Sequence, residues 1–249
     1  MSEKLRVDKL LAHAGYGTRS EIKKAVKLGK VFVNEQKVKD SGIIVDPAVD
    51  VVAFDGEVVS YRSVIYLMLN KPQGVISATE DGRERTVIDL LEPEDVLLKP
   101  FPVGRLDKDT TGLLLLTNDG QLAHELLSPK KHVDKTYEAY VLGEVTIDDQ
   151  LAFEQGVMLD DGYVTKPARL VILSHEEGEE GRCSSIRLTI TEGKFHQVKR
   201  MFQSVGKKVL TLNRVSMGPL ELDPSLELGQ YRELTDQEVE LLKQHRSKS

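Results

Sequence analysis

A single cysteine, Cys183, stands in 249 residues. One thiol can form neither a disulfide framework nor a Cys-based zinc site within the chain, and so low a count suits a reducing compartment. Long apolar runs are missing as well. No stretch approaches the ~18 residues a spanning helix needs, and Met1 to Leu11 is charged where a signal peptide would carry its apolar core. The glycines form neither a phosphate-cradling loop nor a dinucleotide fingerprint. His196 has no second His, Cys or acidic residue at metal-ligand spacing. A soluble, cytoplasmic protein is expected, with no membrane contact and no metal.

What is present is ordinary globular composition, 40% hydrophobic and 30% charged, in a chain long enough for one large domain and one small one. The net charge of −6 argues mildly against a nucleic-acid partner, but its distribution argues the other way. Met1 to Lys39 holds eight Lys and two Arg against one Asp and three Glu, a net +6 that leaves −12 for the remainder. A basic head on an acidic body is expected when one module handles a polyanion.

Val7, Leu10, Leu11 and Ala14 mark one face of a first helix, with Arg6, Lys9 and His13 off that stripe. Gly15 and Gly17 break it. Thr18 and Glu21 form a capping-box pattern for a second helix that turns Ile22, Ala25 and Val26 inward, leaves Lys23, Lys24 and Lys27 outside, and stops at Gly29. A strand over Val31–Val33, a turn at Asn34–Gln36 and a hairpin at Asp55-Gly56 follow. This pattern resembles the S4 RNA-binding domain from about Leu5 to Val59, through the words Arg6-Val7-Asp8-Lys9-Leu10-Leu11, Thr18-Arg19-Ser20-Glu21 and Gly29-Lys30-Val31-Phe32-Val33-Asn34. The resemblance implies phosphate contacts from Arg6, Lys9, Arg19, Lys23, Lys24 and Lys30, which give affinity with little sequence choice. The charge run alone fits a solvated helix face equally. Residues 1–60 are read as this module, 61–241 as a second domain after a linker at Tyr61-Arg62-Ser63, and 242–249 as a tail, frayed from Gln244 to Ser249.

The second domain opens with a strand over Ile65–Asn70 and a turn at Lys71-Pro72-Gln73-Gly74. Lys71 is a phosphate contact or a plain turn lysine. Further on, Gly104-Arg105-Leu106-Asp107-Lys108-Asp109-Thr110-Thr111-Gly112 precedes the apolar run Leu113–Leu116. An Arg-x-Asp pair of this kind is by itself more often a structural ion pair than a catalytic one. Lys135-Thr136-Tyr137 begins an alternating strand, and Tyr137 taken alone is a half-buried strand tyrosine. Ile186–Ile190 alternates too. Val198, Met201, Phe202 and Val205 have helical spacing after Lys194-Phe195-His196-Gln197. The Glu- and Gly-rich stretch Ser174 to Gly181 reads as a mobile surface hairpin loop, and Thr235 with Glu238 caps a short last helix.

Together these words resemble the pseudouridine synthases that act on ribosomal RNA. Asn70-Lys71-Pro72-Gln73-Gly74, the Asp107 loop, Lys135-Thr136-Tyr137 and Phe195–Met201 all match, and the likeness covers nearly the whole chain. It implies an α+β fold, a mixed and mainly antiparallel bent sheet beside the small S4-like α/β domain. It implies that Asp107 is the catalytic aspartate, that Tyr137 stacks on the base, and that Lys199 pairs with Asp107 and keeps it ionised. Arg105 would organise the loop and occupy the place of the flipped nucleotide, while Asp109 stays structural. Lys194, His196 and Arg200 would be further RNA contacts. No cofactor is needed for such an isomerisation. Phe195-His196-Gln197-Val198-Lys199-Arg200-Met201 favours the small-subunit branch, whose partner is 16S ribosomal RNA in a small-subunit assembly intermediate. A monomer is expected. The alternatives are the same chemistry on 23S ribosomal RNA of the large subunit, and a non-catalytic ribosome-binding protein that uses only the S4 head.

Overall fold

The computed structural model describes residues 4–59, 61–128, 131–179 and 181–247, with side chains to residue 244. The chain divides into two compact units. The first takes in Met1–Ile65 and, from later in the chain, Glu92–Pro100. A short strand β1 (Leu5–Arg6) leads into helix α1 (Val7–His13) and helix α2 (Arg19–Lys27). Both parts of the Thr18 cap form: the Glu21 amide donates to the Thr18 hydroxyl and the Thr18 amide to Glu21 Oε2. Strands β2 (Val31–Val33), β3 (Gln36–Lys37), β4 (Ile44–Val45), β5 (Val52–Phe54) and β6 (Glu57–Val58) complete the element list, apart from a single-turn helix α3 (Pro93–Val96). β4 pairs with β1, and the other four run antiparallel in the order β3-β2-β5-β6. Asn34 and Glu35 both have positive φ in the first hairpin turn, as Asp55 and Gly56 do in the second, the conformation that two-residue hairpins require. The apolar stripes of both helices close on the sheet through Val7, Leu10, Leu11, Ile22, Val31 and Val52.

The second unit holds Tyr66–Leu91 and Phe101–Ser249. Its strands are β7 (Tyr66–Lys71), β8 (Phe101–Pro102), β9 (Thr111–Thr117), β10 (Lys135–Leu142), β11 (Arg169–Gly178), β12 (Gly181–Ile190), β13 (Lys208–Met217), β14 (Leu220–Glu221) and β15 (Tyr231–Glu233). Its helices are α4 (Gly120–Leu127), α5 (Ile147–Gln155), α6 (Gln197–Ser204) and α7 (Asp236–Ser247). One sheet runs β11-β12-β10-β13-β9-β7-β15, with β14 on β13 and β8 on β9. Every pairing is antiparallel except β13 with β9, where Asn213 lies against Thr111 and Arg214 against Gly112. Four successive leucines, Leu113 to Leu116, are buried because β9 is covered on both faces. Among the described residues no helix is long and apolar enough to cross a membrane.

Two expectations are corrected here. The stretch does form a hairpin, but Ser174 to Gly178 are not its loop: they continue β11 in antiparallel register with β12 as far as Gly178 opposite Gly181. β11 is an edge strand, so its polar side chains sit in solvent while its backbone satisfies the ladder. A tail beginning at 242 is not seen either. Helix α7 runs to Ser247 and Leu242 is fully buried in the core with Leu122, Leu126 and Met217; Lys248 and Ser249 lie outside the described residues.

Candidate active site

The loop between β8 and β9 carries Asp107, and buried hydrogen bonds fix its backbone. Lys71, at the end of β7, is 0% exposed. Its Nζ donates to the carbonyls of Pro72 at 3.0 Å, Asp107 at 3.0 Å and Thr110 at 2.9 Å. Ser77 braces the preceding residue, with its hydroxyl accepting from the Leu106 amide and donating to the Leu106 carbonyl, both at 3.0 Å. The Thr110 amide turns back onto the Asp107 carbonyl at 3.1 Å. Burial pushes the Lys71 ammonium down to about 8, against the opposing pull of Asp109 and Asp107. The phosphate reading of Lys71 is therefore corrected: a fully buried amine that already serves the loop carbonyls cannot meet RNA.

The Asp107 side chain faces α6 and the turn before it. Lys199 Nζ lies 3.2 Å from Asp107 Oδ2 and 2.6 Å from Asp109 Oδ1. The cation bridges both carboxylates and is not reserved for one. Burial lowers the Lys199 pKa, but the hydrogen bond it donates to Asp109 and the charge of Asp107 outweigh that and leave it raised. The bond from Lys199 in turn holds Asp109 below the usual carboxylate range. His196 Nε2 lies 3.6 Å from Asp107 Oδ1, and its ring stacks on Phe195 at 3.8 Å between centroids.

Asp107 opens onto a cavity of about 720 Å³ whose lining includes Arg105, Tyr137, Lys194 and Phe195, large enough for a nucleotide. Tyr137 belongs to β10 and is only 7% exposed. Arg105 is exposed at the cavity and has no ion pair or hydrogen bond among the described residues. Lys194 is exposed and places its Nζ 4.4 Å from the centroid of the Tyr163 ring. The Tyr163 hydroxyl donates to Glu192 at 2.7 Å, and Glu192 also accepts from Gln197 and from the Lys166 amide. The structure thus brings together Asp107, Tyr137, Lys199, Arg105, Lys194 and His196.

Arg200 does not join them. Its guanidinium is taken up by Asp160 and Asp161, at 2.6 Å from Asp161, so its RNA reading is corrected to a structural one. In the first unit, Arg6 grips the buried carboxylate of Asp8 with two bonds of 3.0 and 2.8 Å, and Lys30 pairs with Asp55 at 2.6 Å. Both side chains are therefore engaged in ion pairs while remaining partly exposed. Lys9 is half-buried on α1. Arg19, Lys23, Lys24 and Lys27 stand exposed along α2.

Sequence reasoning missed Lys135, Tyr163, Glu192, Phe195 and Arg214, all of which line the cavity. Phe195 is an aromatic ring 75% exposed at its rim. Arg214 carried a legible signal, because it follows Leu212 at the inward phase of β13, where a charged residue is costly.

Residues 65–204 match the family described as RNA pseudouridylate synthase, and residues 5–51 match the S4 domain. The chain is 55% identical to the uncharacterized RNA pseudouridine synthase YtzG of Bacillus subtilis (strain 168), over 96% of this chain and 98% of the other. It is 41% identical to ribosomal small subunit pseudouridine synthase A of Vibrio vulnificus, covering 95% and 98%. It is 40% identical to ribosomal large subunit pseudouridine synthase B of Bacillus subtilis, covering 96% and 95%. A solved structure, a crystal structure of a pseudouridylate synthase, matches with TM-score 0.64 at 38% identity over 96% of this chain and 99% of that one.

Proposed function

The chain belongs to the RNA pseudouridine synthase family, isomerases that act on RNA, and we propose that it converts a specific uridine of 16S ribosomal RNA to pseudouridine. The observation that carries the catalytic part is Asp107, a carboxylate on a braced loop, 3.2 Å from Lys199 and sharing a nucleotide-sized cavity with Tyr137. Pseudouridine formation breaks the N1–C1′ bond of uridine, turns the base and rejoins it through C5. Asp107 acts at the sugar, by attack on C1′ or by taking the C2′ proton. Lys199 holds that carboxylate by charge and geometry. Tyr137 stacks on the base and helps carry away the C5 proton.

The target atoms are inaccessible in a base stack, so the nucleotide is flipped into the cavity. Arg105, exposed and unpaired at the cavity, takes the vacated place, and Lys194 and His196 contact the backbone. The S4 unit holds RNA through Arg19, Lys23 and Lys24 on α2, with Lys9 beside them on α1. Identities of 41% and 40% do not separate the two ribosomal subunits. The word Phe195–Met201 supports the small one, bound as an assembly intermediate by a monomeric enzyme.

The test is pseudouridine mapping of ribosomal RNA from cells with and without the gene. One small-subunit site should vanish and return with the wild type but not with Asp107→Asn. A lost site in 23S RNA would move the substrate to the large subunit. Pseudouridine made by D107N would remove Asp107 from its role.

A further inference from the structure

Two cations of the cavity wall have no part in the scheme above. Lys135 begins β10 two residues before Tyr137, so both side chains leave the same face of the strand. Arg214 of β13 lies directly across from Tyr137 in the sheet register. Arg214 is 2% exposed. Its Nε donates to the Leu113 carbonyl at 2.8 Å, which fixes the guanidinium plane, and its Nη2 is buried with no hydrogen-bond partner. Lys135 Nζ donates to the Val133 carbonyl at 2.9 Å. Neither cation has a carboxylate partner among the described side chains. Glu192, on the same cavity, has both oxygens occupied by Tyr163, Gln197 and the Lys166 amide. Burial and then the charge of Arg214 push Lys135 down to about 8, with Asp134 pulling the other way.

A buried guanidinium beside a half-buried ammonium, with no counterion, destabilises the free protein, and a buried donor without an acceptor calls for an explanation. The reaction supplies one. When the N1–C1′ bond breaks, its electron pair stays with the base, and the uracil is left as an anion with charge spread over N1, O2 and O4. That holds whether Asp107 attacks C1′ or removes the C2′ proton. The anion persists while the base turns, until C5 bonds to C1′ and its proton is lost. We propose that Lys135 and Arg214 form the cationic wall that holds this detached uracil anion through its carbonyl oxygens, making them further catalytic residues. The inference rests on the pseudouridine synthase reading and adds to it the group that receives the electrons. Preorganised donors of this kind act where charge develops and need no rearrangement to do so.

The test is single-turnover tritium release from C5-labelled RNA at saturating enzyme, with wild type, Lys135→Met and Lys135→Arg, each checked for a melting temperature no lower than that of wild type. K135M should lose about 100-fold in rate with unaltered RNA affinity, and K135R should recover most of it. RNA carrying 5-fluorouridine at the target provides the second arm, read as loss of that nucleoside from nuclease digests. Fluorine stabilises the departing anion, so the K135M deficit should shrink on this substrate. Equal deficits on both substrates would mean a structural role and overturn the inference. A weaker RNA affinity with a shallower salt slope would assign the pair to a phosphate and overturn it too. Tritium release by wild type with an equally fast K135M removes this inference alone, whereas no release by wild type removes the functional reading beneath it.

Discussion

Lys199 is shared between two carboxylates, which decides what its loss should do. With Nζ 3.2 Å from Asp107 and 2.6 Å from Asp109, its removal leaves two acidic groups on one loop with no cation between them. Lys199→Met should lower the single-turnover rate by about 100-fold or more, as expected when a group that sets up general acid–base chemistry is removed. Asp109→Asn should cost far less, because Asp109 only competes for the cation. A comparable loss in D109N would exchange the roles of the two carboxylates. Lys71 offers a second residue-scale test. Below pH 8 it is protonated both folded and unfolded, and the cost of burying its charge is fully present. Between about 8 and its ordinary 10.5 the folded protein binds fewer protons than the unfolded one, so its contribution to stability rises with pH. The stability of wild type relative to Lys71→Met, from urea melts at pH 7 and pH 10, should increase across that window. At this scale the sequence showed which residue types converge, since Asp107, Tyr137 and Lys199 stand in recognisable words. It did not show which cations were already taken. Arg6, Lys30 and Arg200 are answered by Asp8, Asp55 and Asp160–Asp161, and the last two pairings span 25 or more positions along the chain.

Among elements, the join between β9 and β13 is the most constrained. It is the one parallel pairing in the described sheet, and it brings Arg214 against Gly112. Gly112 has φ 102°, and a Cβ there would lie 2.3 Å from the Arg214 carbonyl oxygen. Backbone cannot move aside as a flexible side chain does, and the left-handed conformation adds strain. Gly112→Ala should destabilise the protein by about 2–3 kcal/mol and disturb Arg214, whereas Gly120→Ala, with open space around it, should be close to neutral. Chemical denaturation of both variants checks the contrast. Short-range features of the elements were readable. The Thr18 and Thr235 capping boxes form as the i, i+3 pattern indicates, since they depend on four consecutive residues. A third box at Thr146 and Asp149 went unread because Asp replaces the longer Glu. Ser174 to Gly178 looked like a loop because composition reports solvent exposure, whereas a strand at a sheet edge is decided by backbone bonds that polar residues make equally well.

For the whole molecule, charge was the most legible property and the one most changed by pairing. The N-terminal 39 residues carry +6, yet only part of that charge is available to a polyanion. Arg6 and Lys30 spend theirs within the first unit, whereas Arg19, Lys23, Lys24 and Lys27 remain exposed on α2. If α2 meets phosphates, binding must weaken with salt in proportion to the contacts made, at about 0.7 to 0.9 in logarithmic slope for each phosphate neutralised, the lower figure for single strands. Replacing Lys23 and Lys24 with Gln should therefore weaken RNA binding and flatten its salt slope by up to about 2. The single-turnover rate at saturating RNA should stay as in wild type, because neither lysine belongs to the unit that carries Asp107. Lys30→Gln should change the slope little, since its charge is already answered by Asp55. Titrations at several salt concentrations separate these outcomes. Unchanged slopes for the Lys23 and Lys24 variants would reduce α2 to a solvated basic face, and RNA recognition would then have to come from the cavity rim, through Arg105, Lys194 and Phe195.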